Sequence, residues 1–110
     1  MRFMYICPVH HDDTTEYFQS LMASLKADGL LDGIEFDMDP GPEGPGVRGR
    51  ADLVNVSKEL MDRVHQAVDT GRYDAIVIQG FLDPVLLDAR EVSPIPVLGC
   101  GESSYHLASL

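Results

Sequence analysis

The chain repeats one pattern four times: a short apolar run, a polar or Gly/Pro-marked break, then apolar residues at helical spacing. Residues 2–7 hold Phe3, Met4, Tyr5 and Ile6 without interruption, as in a strand buried on both faces, and Pro8 ends the run. Past the polar PVHHDDTTE segment, Asp13 or Thr14 is placed to cap a helix. Glu16 lies in its first turn, Phe18, Leu21, Met22 and Leu25 form one stripe, and Gly29 stops it. Residues 34–38 alternate Ile34, Phe36 and Met38 with Glu35 and Asp37, which predicts a strand exposed on one face at a sheet edge.

Residues 39–50 hold three of the seven prolines and four of the ten glycines, so regular structure is excluded and a mobile loop is expected. A second helix is predicted over residues 51–69, with Leu53, Val56, Leu60, Val64, Ala67 and Val68 at helical spacing and Asp52 near its positive end. A third strand over residues 74–79 leads to Asp83-Pro84, read as the N-cap and first position of a helix over residues 84–91. A fourth strand spans residues 95–99, and a last helix starts near Glu102.

Strict strand–helix alternation makes the strands parallel with right-handed crossovers, and an edge position for strand two gives the spatial order 2-1-3-4. The expected fold is α/β: a flavodoxin-like, doubly wound parallel sheet of four strands with helices on both faces. The whole chain, residues 1–110, is one domain at this length. The last helix is short and no fifth strand follows, so strand four or an apolar helix face is expected to stay partly uncovered. A second copy of the chain, forming a homodimer, is the simplest cover.

Eight Lys and Arg against eighteen Asp and Glu give a net charge of −10, which opposes binding to nucleic acid and to anionic lipid. The opening MRFMYICPV is too short for a signal sequence or a membrane span, and a cytoplasmic location is expected. Reduced thiols then follow for the only two cysteines, Cys7 and Cys100.

In open α/β sheets ligands bind at the carboxyl ends of the strands, which places the site at the turns after strands one, three and four. Cys7 and Cys100 end strands one and four, about 10 Å apart for a strand spacing of ~4.8 Å. One of them is read as a thiol acid/base with its pKa lowered by a helix N-terminus, the alternative being a small apolar residue filling a strand end. The run CPVHHDD has metal-ligand residue types, but its spacing matches no metal motif, so no metal is expected. The Gly99-Cys100-Gly101 turn opens a helix, where free N–H groups attract a carboxylate. Glu102 faces the same rim or simply complements the helix dipole. Arg48, in the Pro/Gly loop, is placed to grip a carboxylate if the loop closes.

The stretches YDAIVIQGFLDPVLLDARE and SPIPVLGCGESSYHLASL, with the opening MRFMYICPVHHDDTTE, resemble the aspartate/glutamate/hydantoin racemase family, most closely the hydantoin racemases. The resemblance covers about three quarters of the chain. It implies cofactor-independent proton transfer between two pseudo-symmetric halves, each supplying one cysteine, and this chain is similar to the N-terminal half. The first family cysteine aligns with Gly80. The resemblance carries Pro8, His11, Gly80 and Phe81 to the substrate rim and leaves Cys7, His10 and Cys100 as acid/base candidates. The expected function is racemisation, isomerisation or decarboxylation of a small carboxylate or carbonyl compound, at a site completed by a second chain. The alternative is a non-catalytic ligand-binding module or interaction half that lost its cysteine.

Overall fold

A computed structural model describes residues 1–10 and 13–110. Its elements alternate as β1 (Arg2–Ile6), α1 (Thr14–Ala27), β2 (Glu35–Asp39), α2 (Arg50–Asp69), β3 (Ala75–Ile78), α3 (Leu86–Val92), β4 (Val97–Gly99) and α4 (Cys100–Ala108). The four strands form one parallel sheet in the order β2-β1-β3-β4, as expected. Among the described residues no helix is long and apolar enough to cross a membrane.

Register explains which side chains meet. Met4, Ile76 and Val97 share one row, and Ile6 and Ile78 the next row on the same face. Leu60, Val64 and Ala67 of α2 and Leu86 and Ala89 of α3 complete the core there. Burying such side chains contributes about 1.5–3 kcal/mol each, so this face carries most of the stability. On the other face Tyr5, Val77 and Leu98 form a row that α1 covers only at one end, where the Phe18 ring lies 5.1 Å from that of Tyr5. Leu98 is 39% exposed, and Tyr105 and Leu107 of α4 are more so. The partly uncovered strand four and helix face are therefore present.

Several boundaries move by a residue or two. The largest change concerns Asp83. It does not cap α3, whose N-cap position is Val85 and whose first residue is Leu86 rather than Pro84. The reason is tertiary: the Asp83 carboxylate turns to the start of α4, as described below. At α1, Asp13 occupies the cap position without a side-chain cap hydrogen bond. The last helix starts at Cys100, two residues before the expected Glu102.

Candidate functional site

The site is built where three loops meet beyond the strand ends. The segment after β1 is tied to the Pro/Gly loop by backbone bonds from Cys7 N to Asp39 O (2.9 Å) and from His10 N to Pro42 O (3.0 Å). His10 Nδ1 lies 2.7 Å from Gly41 O, so the ring pins that loop and does not enter the cavity. Arg63, on the buried side of α2, locks both segments. It donates to Cys7 O (2.7 Å) and Pro8 O (2.9 Å), and it pairs with Glu59 (2.7 Å) and Asp39 (3.4 Å). Gly41 takes φ +74° in this contact, and a Cβ there would lie 2.6 Å from Cys7 O. The start of the loop expected to be mobile is thus held at several points.

These ties shape a cavity of about 260 Å³. Pro8, Val9 and Thr14 wall it on one side, Gly46 and Val47 on the second, and residues 79–82 with Pro84 on the third. Among the described residues lining it none carries a charge. Pro8, Gly80 and Phe81, which the resemblance carries to the substrate rim, are among these walls. Arg48 is exposed outside the cavity, its backbone N–H bonded to Asp52. His11 lies outside the described residues, and among those described no group of His, Cys, Asp or Glu gathers to hold a metal.

Neither thiol has the lowered pKa that a helix N-terminus was expected to give one of them. Both are free; Cys7 is buried and Cys100 half-buried. Burial pushes the Cys7 thiol up to about 11, with the Arg63 guanidinium opposing and Asp39 adding to the rise. Burial also raises Cys100, against hydrogen bonds from the Gly80 amide and the Tyr5 hydroxyl that favour its thiolate. Cys100 thus lies next to the Gly80 turn, and neither thiol is among the described residues lining the cavity. For Cys7, the unfolded chain releases its proton near pH 9 and the folded chain only near 11. The folded state binds more protons in that window, so stability is whole below it and falls as pH rises across it. Urea midpoints between pH 8 and 11 are expected to drop in the wild type, and the slope to flatten in Cys7→Ala.

Glu102 also leaves the rim. It makes a two-pronged pair with Arg90, whose guanidinium holds the carboxyl below its usual range. The Gly99-Cys100-Gly101 turn is not an open anion site: Asp83 Oδ1 accepts from Gly101 N (2.8 Å) and Oδ2 from Glu102 N (2.6 Å). Gly99 and Gly101 are there because α4 must approach this loop closely; a Cβ on Gly101 would lie 2.4 Å from Phe81 O. Gly80 has φ +111° with only Pro84 Cδ near its Cβ position, at 3.8 Å. A cysteine at position 80 would find room but a backbone unsuited to it.

Sequence reasoning missed Arg63 and the cavity walls Val9, Thr14, Gly46, Val47, Gln79, Leu82 and Pro84. Arg63 had a readable signal, a cation three residues after Leu60 and beside Val64 on the apolar face of α2. The walls had none, because they come from three loops far apart in sequence.

Comparison of the sequence with curated proteins returns no match. Among solved structures, the allantoin racemase from Klebsiella pneumoniae superimposes with a TM-score of 0.74 at 26% identity, over 99% of this chain and 43% of that one. The present chain thus spans less than half the length of that protein. The model of the Asp/Glu/Hydantoin racemase family matches residues 13–110, which is nearly all of the α/β unit just described, and the chain belongs to that family.

Proposed function

We propose that the chain carries one half of a cofactor-independent proton-transfer site, acting on a carbon next to a carbonyl in a small neutral molecule and completed by a second copy of the chain. The observation that carries this reading is the cavity at the ends of β1 and β3, uncharged among its described lining residues, with Cys100 opening α4 next to the Gly80 turn. The family's description spans amino acids and hydantoins, and a relative of similar fold is an allantoin racemase. A carboxylate would meet no counter-charge among the described lining residues, whereas a cyclic ureide suits the Gln79 amide and the apolar face of Phe81. In this reading the Cys100 thiolate takes the proton, the electron pair moves onto the carbonyl oxygen, and a group of the second chain returns a proton to the opposite face.

The test is exchange of the C5 proton of 5-methylhydantoin in deuterated water, followed by NMR. Exchange is expected to rise with pH, because the Cys100 thiol is raised and acts as thiolate. Cys100→Ser is expected to abolish it and Cys7→Ser to spare it. Wild-type activity retained in Cys100→Ser would sink the thiol role, and a monomer by light scattering would sink the shared site. A second reading, a binding module without turnover, is favoured by Gly80 at the cysteine position and by the raised thiols. Ureide binding without exchange at any pH would select it.

A further inference from the structure

On the face of the sheet that α1 partly covers, Tyr5 of β1 shares a row with Val77 of β3 and Leu98 of β4. The Phe18 ring of α1 packs on the Tyr5 ring at 5.1 Å, tilted by 40°. Strands about 4.8 Å apart put β4 about 10 Å from β1, so a side chain of β1 must span β3 to touch the residues that follow Leu98. Tyr5 does so: its hydroxyl donates to the sulfur of Cys100, the first residue of α4. Tyrosine joins that reach to a rigid ring with a donor at its tip.

A second donor to Cys100 comes from a third segment, the Gly80 N–H in the turn after β3. The nearest donors, in the first turn of α4, are already taken. Gly101 N and Glu102 N bond to the Asp83 carboxylate at 2.8 and 2.6 Å. Whatever stabilises charge on this sulfur therefore comes from outside its own helix. Burial disfavours the Cys100 thiolate most strongly and Asp83 adds to that, while Gly80 and Tyr5 oppose both. Tyr5 stays protonated, and so remains a donor, because burial lifts its hydroxyl above the ordinary range, with Cys100 and Cys7 adding to the rise. The other ionisable groups around this cluster are Tyr17 of α1, which acts on Tyr5, and Arg63 and Asp39, which act on Cys7.

We propose that Tyr5 is a positioning residue: its O–H, together with the Gly80 N–H, forms a two-donor seat that orients the Cys100 sulfur and stabilises negative charge on it. The inference deepens the thiol role of Cys100 read above and rests on that reading for any part in proton transfer. The seat itself does not depend on turnover. A Tyr5 that served only to fill space beneath α1 would leave the ionisation of Cys100 unchanged.

Alkylation of Cys100 by iodoacetamide tests it on the full chain, resolved from Cys7 by peptide mass spectrometry and followed across the alkaline range. Only the thiolate reacts, so the midpoint of the rate profile reports the ionisation of Cys100. Tyr5→Phe keeps the ring on Phe18 and removes the donor. Its midpoint is expected about one pH unit higher than in the wild type, with about tenfold slower labelling below both midpoints. Tyr17→Phe removes a hydroxyl that acts on Tyr5 but not on Cys100, and should leave the midpoint in place. An unmoved midpoint in Tyr5→Phe overturns the proposal. So does an equal shift in Tyr17→Phe, which would mark a general loosening under α1. In the 5-methylhydantoin exchange assay the pH profile of Tyr5→Phe should rise together with the labelling midpoint. No exchange in the wild type, or an exchange profile that stays put while labelling moves, sinks the proton-transfer role of Cys100 and leaves the seat standing.

Discussion

Arg63→Met is expected to destabilise the fold by about 3–5 kcal/mol, the range for removing one partner of a buried ionic network. The guanidinium is only 9% exposed and donates to two main-chain carbonyls, Cys7 O and Pro8 O. Methionine fills the volume but donates nothing, and each buried carbonyl left without a donor costs about 1–3 kcal/mol. Against a total of roughly 5–15 kcal/mol for a domain, this is a large fraction. The urea midpoint measures it. Arg63→Lys should fall between wild type and Arg63→Met, because a lysine cannot serve both carbonyls and Glu59 with one planar fork. A loss below about 1 kcal/mol would show that water takes over those carbonyls. The cavity should suffer with the fold, since Pro8 is one of its walls.

Gly101→Ala is the second large effect. In an ordinary helix alanine is preferred to glycine by about 1 kcal/mol. Here the added methyl would meet Phe81 O at 2.4 Å and Asp83 Oδ2 at 2.9 Å. The first of these is main chain and cannot swing away, so the substitution is expected to destabilise by about 1–3 kcal/mol, the usual range for overpacking. Gly99→Ala provides the comparison. Its methyl would meet Asp83 Oδ1 at 2.5 Å and Leu86 Cδ2 at 2.7 Å, both side-chain atoms able to shift. The ordering Gly101→Ala worse than Gly99→Ala, read from urea midpoints, tests whether α4 is set by its contact with the main chain of the loop before α3. The reverse order would put the constraint in the Asp83 side chain instead.

Both experiments concern groups that join distant parts of the chain, and that separates what was legible from what was not. The strands were readable because unbroken apolar runs such as Ala75–Ile78 have no other stable place than a sheet covered on both sides. Strand order followed from the handedness of crossovers and from the charged alternation in β2, which suits an edge. The rim followed from topology alone. Asp83-Pro84 shows where local reading stops. The dipeptide is a good cap for the helix beside it, yet its carboxylate bonds to N–H groups 18 and 19 residues away. His10 shows the same limit, since a polar loop histidine gives no sign that its ring will pin Gly41.

Taken alone, the sequence determined the α/β class and the four-strand order, because these depend on periodicity, chain length and handedness, which are local or additive, and its motifs carried the resemblance to the family. Only the tertiary structure decided what each rim group does. It buried Cys7 behind Arg63 and set Cys100 beside Gly80. It paired Glu102 with Arg90, and it filled the start of α4 with Asp83. A charge or a thiol takes its character from the dielectric and the partners around it, and those partners come from segments that only folding brings together.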